Sequence, residues 1–138
     1  MNRTLRRTGA GGALVIAGVI VLSACVPPPD QQILESGSPA ETPSSMTPDQ
    51  IEMVDADGIR FLGEDSDGHA FYIAPQTDEA TAGSGICLLI DGIEDGPILG
   101  CGSVPFAVGG GGVHARLTMF PEEGDGGEQV GDHLVVVG

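Results

Sequence analysis

The chain of 138 residues has no tryptophan, one tyrosine and four phenylalanines. A core without large rings has to be built from Ile, Leu, Val and Met. Basic residues are equally scarce: five Lys+Arg stand against twenty Asp+Glu, a formal net charge of −15. Arg3, Arg6 and Arg7 open the chain, so only Arg60 and Arg116 accompany the acidic residues beyond them. This excludes the basic patch that phosphate contacts require, and nucleic acid with it. Anionic lipid headgroups are repelled for the same reason. Cations, basic proteins and neutral glycans remain as partners, and acidity by itself keeps a domain soluble.

Signatures of catalysis are missing too. His69, His114 and His133 show no HxH, HxxxH or HExxH spacing, so no metal site is expected. Gly109 to Gly112 lacks the GK[ST] ending of a phosphate loop. Ser84 and Ser103 lie in no strand-turn-helix nucleophile elbow. Asp55-x-Asp57-Gly58 and Asp65-x-Asp67-Gly68 invite a calcium reading, because hard cations take clustered carboxylates. Counting back from each glycine puts Met53 and Gly63 where an EF-hand needs its first acid, and Ala74 stands where the second loop needs its last. Both motifs read as turn chemistry, with ion binding by adjacent acidic loops as the alternative. No cofactor is expected.

What the chain does have begins at its N-terminus. Behind the three arginines, Ala10 to Leu22 is an apolar run without a charge, shorter than a comfortable bilayer span. It closes in Leu22-Ser23-Ala24-Cys25. This pattern resembles the lipobox of bacterial lipoproteins at every position. The resemblance implies that Cys25 is joined through sulfur to a diacylglycerol and becomes the first mature residue after cleavage behind Ala24. Residues 1–24 are then a signal helix, and the protein is held on the extracytoplasmic face of the cell membrane. Arg6-Arg7 lack the fuller twin-arginine motif, and positive charge alone accounts for them.

With Cys25 assigned to lipid, Cys87 and Cys101 remain as a pair. An exported chain meets an oxidising compartment, where two leftover thiols form a disulfide. A redox role would call for Cys-x-x-Cys at a helix start, which is absent.

Residues 25–50 read as the lipidated cysteine and a disordered stalk, because Pro27-Pro28-Pro29 and the Ser, Pro, Glu and Thr after them leave little apolar surface to bury. Thr47-Pro48-Asp49-Gln50 carries a capping box that predicts one short helix, with Ile51 and Val54 on one stripe. Residues 51–138 read as a single β-rich domain. Asp67-Gly68 predicts a two-residue type I′ hairpin turn in which Leu62 faces Ile73 and Phe61 faces Ala74.

Ile86-Cys87-Leu88-Leu89-Ile90 is the most apolar strand. Placing Cys87 opposite Cys101 pairs Leu89 with Leu99 and Ile90 with Ile98. Both faces of that hairpin are apolar, so it should be the centre of the fold, covered on two sides. Gly109 to Gly112 reads as a turn, Val113 to Met119 as a half-exposed strand, Pro121 to Gly127 as an acidic loop, and Leu134 to Val137 as a final strand with a paired edge. The expected class is mostly β: a small antiparallel sheet or partly closed barrel of about six strands, with the signal helix and at most one short extra helix.

Ile59-Arg60-Phe61-Leu62-Gly63-Glu64, Phe71-Tyr72-Ile73-Ala74, Cys87-Leu88-Leu89-Ile90, Gly100-Cys101-Gly102 and Val130-Gly131-Asp132-His133-Leu134-Val135 together resemble a group of small exported or membrane-attached actinobacterial proteins. The likeness covers roughly residues 58–138 and carries no catalytic assignment across. The functional expectation is a lipid-anchored, non-catalytic binding or envelope-support module. Its partners are the membrane, through Cys25, and a basic protein or cell-envelope component. The alternative is a small hydrolase or metal-dependent enzyme using His114 or His133.

Overall fold

One strand with two apolar faces organises the molecule. The computed structural model describes residues 25–77, 85–120 and 126–138. The expected signal helix at 1–24, most of the polar loop after Pro75 and most of the acidic loop after Phe120 lie outside these residues. In chain order the elements are helix α1 (Pro29–Ser36), β1 (Ser38–Pro39), α2 (Pro48–Glu52), β2 (Arg60–Glu64), β3 (Ala70–Pro75), β4 (Ile86–Asp91), β5 (Ile98–Gly102), β6 (Phe106–Gly110), β7 (Val113–Leu117), β8 (Glu128–Val130) and β9 (Leu134–Val137). The strands form two antiparallel sheets, β1-β2-β3-β4-β5 and β6-β7-β9-β8. The class is mostly β as expected, but as two sheets and without a closed barrel.

Period-two alternation sorts the side chains. Phe71, Ile73, Leu88 and Ile90 from the first sheet meet Val108, Ala115, Leu117, Leu134 and Val136 from the second in one buried cluster. On the opposite face of the first sheet, Ala74, Cys87 and Leu89 are covered by Met46, Val54 and Ile59. Residues 86–90 of β4 are therefore buried without interruption. The register is the expected one, with Cys87 opposite Cys101, Leu89 opposite Leu99 and Ile90 opposite Ile98. Cys87 and Cys101 form a disulfide across a Cα–Cα distance of 4.0 Å.

The stalk expectation is corrected. Residues 29–50 fold onto the domain. Pro29 suits the first helical position of α1, Asp30 favours its N-terminal dipole, and Ile33 is buried to 1% exposure in the main cluster. β1 pairs with the edge of β2, and Met46 helps to cover the outer face. Composition read these residues as polar linker because their few apolar side chains are isolated and do not repeat. Two short helices are thus present where at most one beyond the signal was expected. The capping box of α2 is as expected: Gln50 N–H donates to Thr47 Oγ1, and Gln50 Oε1 accepts from Thr47 N–H. Val54 is buried, while Ile51 is exposed, so the two do not share a buried stripe.

The β2–β3 register also differs. Phe61 pairs with Tyr72, their rings 5.3 Å apart, and Arg60 pairs with Ile73. The loop holds three residues, not two: Gly68 N–H donates to the Asp65 carbonyl at 3.2 Å, and only Gly68 within it has positive φ, +88°. An irregularity between Phe61 and Gly63 absorbs the remaining offset. The tight two-residue turn lies instead at Gly111-Gly112, with φ of +57° and +85°, between Gly110 and Val113. Gly109 and Gly110 therefore belong to β6, a strand the glycine run conceals. β9 lies between β7 and β8, so its edge is paired on both sides.

Glycine also permits the close approach of β5 to β6. A Cβ on Gly100 would stand 2.5 Å from Val108 Cγ2. Gly100→Val should therefore cost about 1–3 kcal/mol by overpacking, read as a lower urea midpoint with m unchanged. Replacing both Cys87 and Cys101 with Ala opens a loop of about 15 residues and should cost about 3 kcal/mol on the chain-entropy model. A urea midpoint unmoved by reduction would contradict that role.

Candidate functional site

The residue that leads into the β2–β3 loop, Asp65, does most of the local bonding. Asp65 Oδ1 accepts from the backbone N–H of Asp67 at 3.0 Å and of His69 at 2.8 Å. Asp65 Oδ2 lies 2.8 Å from His69 Nδ1, and the Asp65 side chain is only 3% exposed. A carboxylate can only accept, so His69 Nδ1 carries the proton of this contact. Burial alone would raise the Asp65 carboxyl. Hydrogen bonds from the His69 ring and backbone, the His69 charge and the Asp67 N–H outweigh it and hold the group below its ordinary value near 3.8.

Across the sandwich, Glu128 at the start of β8 reaches the same loop. Its Oε2 accepts from Ser66 N–H at 3.0 Å and from Ser66 Oγ–H at 2.7 Å. Together Asp65, Ser66, Asp67, His69 and Glu128, with the Gly111-Gly112 turn, line an open cleft of about 380 Å³. The β4–β5 loop, with Asp91, Glu94 and Asp95, lies alongside: a Cβ on Gly92 would come within 3.2 Å of the Gly68 carbonyl. The β2–β3 and β4–β5 loops and Glu128 thus share one end of the sandwich.

Asp65, Asp67 and His69 place one potential ligand atom each within 4.8 Å of the others. Asp65 already takes three donors, so a cation there would displace the His69 ring or use Asp67 and the outer lone pairs. The Ser66 proton goes to Glu128, so Ser66 and His69 form no nucleophile pair. The turn reading of both Asp-x-Asp-Gly motifs matches this bonding. In the first motif, Asp57 N–H donates to Asp55 Oδ1 at 3.2 Å and starts a short 3-10 helix.

The two histidines considered for catalysis sit at opposite ends of the β7–β9 ladder. His114 pairs with Val137, whereas His133 adjoins the Leu117–Leu134 pair. Three strand residues of about 3.4 Å each separate those positions. His114 Nδ1 lies 3.1 Å from the Val113 carbonyl, and the ring lines a shallow groove with Ala107, Arg116, Val135 and Val137, without a carboxylate. His133 Nδ1 lies 3.2 Å from the Thr118 carbonyl. Ser103 lies between β5 and β6, and Ser84 falls outside the described residues. Cys25 is exposed and unpaired with the other cysteines. Among the described residues no helix is long and apolar enough to cross a membrane.

The bonded Asp65–His69 pair is the feature that sequence reasoning missed. Its signal was the loop length. A two-residue turn sets Ser66 opposite His69, whereas a three-residue loop sets Asp65 there.

Because the Asp65 carboxyl is held low in the folded state, its contribution to stability is complete well above the unfolded pKa. It is lost as pH falls through that value and then through the lower folded one. Asp65→Asn should flatten the acid limb of the stability–pH curve below about pH 5. An acid limb identical to wild type would show the pair to be energetically silent. No protein-family model matches the chain, and neither a curated protein nor a solved structure is significantly similar to it.

Proposed function

We propose that this chain is a lipid-anchored, extracytoplasmic module whose β-sandwich binds rather than catalyses. The observation that carries the reading is the division of the three cysteines. Cys87 and Cys101 are joined inside the fold, while Cys25 stands exposed directly behind Leu22-Ser23-Ala24. A disulfide suits an exported protein, and the spare thiol is the one the lipobox assigns to diacylglycerol. Two acyl chains are enough for stable attachment.

The surface offered to a partner is the acidic end, where Asp67 and Glu128 line the cleft and the loop that carries Glu94 and Asp95 lies beside it. A basic protein or a cationic component of the cell envelope fits this charge. The commitment of Asp65 to three donors, and of the Ser66 hydroxyl to Glu128, supports a binding role for the loop.

Cys25→Ala should leave the precursor uncleaved and without the fatty adduct, read by intact mass of the membrane fraction. Processing and attachment unchanged in that variant would overturn the anchoring. For the acidic end, binding of a polylysine peptide should weaken steeply with added salt and fall further in an Asp67→Asn, Glu94→Gln, Asp95→Asn variant. Affinity that is indifferent to salt would remove the charge argument.

A further inference from the structure

We propose that the surface facing the bilayer is the end of the sandwich where α1 begins, and that the cleft of Asp65, His69 and Glu128 is held outermost. This rests on acylation of Cys25. The tether is too short to let the domain turn over. Order begins close behind the anchor: the Pro27 carbonyl accepts from Gln32 Nε2 of α1 at 2.7 Å. Pro28 takes the Gln32 N–H at 3.2 Å, and Ile33 is buried in the main cluster. From Cys25 to Pro28 there are three peptide steps, which span at most about 10 Å fully extended. A free coil of roughly 25 residues would have allowed about 25–30 Å.

Pro28 and Gln31 line a groove with Pro75, Gln76 and Ile86, which fixes the near end of the sheet. β3 runs from Pro75 back to Ala70, and the Asp65–His69 loop lies at its far end. Six strand residues at about 3.3 Å place that loop about 20 Å further out. Val26, 79% exposed, is the apolar residue beside the anchor and the natural contact with the headgroup boundary. The inverted orientation would press Asp65, Asp67, Asp91, Glu94, Asp95 and Glu128 toward anionic lipid; among the described residues the near end carries Asp30, Glu52, Asp55 and Asp57. In the proposed orientation the far end lies about two to three Debye lengths, of about 10 Å each at 0.1 M salt, from the headgroups, so its field reaches solution.

The test uses the acylated full-chain product in nanodiscs containing a lipid with a gadolinium-chelating headgroup, with acylation verified by intact mass. Amide signals of Gln31 and Gln76 should broaden several-fold more than those of Asp67 and Glu94. Inserting about 20 Gly/Ser residues between Val26 and Pro27 adds a coil of about 25 Å and should abolish the difference. Equal broadening at both ends, or none at either, overturns the orientation. If intact mass shows no acyl adduct, the anchoring reading fails separately. Coupling Cys25 to a maleimide lipid then recreates the same tether and still decides the orientation.

Discussion

The uninterrupted burial of β4 is the constraint from which the rest of the molecule derives. A strand buried on alternate positions needs one cover; a strand buried at every position needs two. Leu88 and Ile90 are covered by the second sheet, and Cys87 and Leu89 by Met46, Val54 and Ile59. A fully buried Leu or Ile contributes about 1.5–3 kcal/mol relative to exposure. Losing either cover would therefore cost a large share of the stability of a small domain. The disulfide sits on the outer of these two faces, where the cover is thinnest: separate side chains drawn from one irregular segment. It binds β4 to β5 on the side that has no sheet to support it.

This constraint explains why the segment before Ile51 is not a stalk. Its polar composition argues correctly that it cannot form a core of its own. It does not argue that the segment has no core to join. Ile33 enters the main cluster and Met46 the outer one, each as a single apolar side chain in polar surroundings. Such residues carry no periodicity, so a window of sequence cannot reveal them. Only the unmet second face of β4, itself legible in Ile86-Cys87-Leu88-Leu89-Ile90, implied that something had to cover it. The β4–β5 register was legible because a cysteine pair and two apolar faces agreed on it. β6 was hidden because its glycines serve close approach and not a turn: a Cβ on Gly110 would stand 2.6 Å from Ile98 Cδ1 of β5, and one on Gly109 would meet the His114 ring of β7. β8 has three residues, too few for any alternation to show.

The repeated Asp-x-Asp-Gly motif shows how one local chemistry serves two ends. In both copies the first aspartate accepts from the backbone N–H two residues on. After Asp55 the chain continues into a 3-10 turn that leads to β2. After Asp65 it reverses, and the second carboxylate oxygen is left to take the His69 ring. The difference lies in the residues after each glycine: His69 and the apolar strand β3 allow a hairpin, and Ile59 leads directly into β2. The composition of the loop was legible and its length was not, because Asp-Gly satisfies two-residue and three-residue turns alike. That single residue decides whether the buried partner of the histidine is a serine or a carboxylate.

The cover and the proposed anchor are the same piece of chain, and this couples them. On the lipid-anchored reading, a lateral or outward force on Cys25 is not taken up by slack coil. It passes through Val26 and Pro27 to α1, and from α1 to Ile33 in the main cluster. The first elements to yield would be the ones with least to hold them: the Gln32–Pro27 bond is exposed, and α1 has one fully buried side chain. Beyond α1 the load meets β1, which is paired to β2 over only two residues. The sandwich behind it, closed by the disulfide and by β4, would remain intact. On that reading α1 and β1 would undock first, and the tether would gain their length while the disulfide-closed sheet stayed folded.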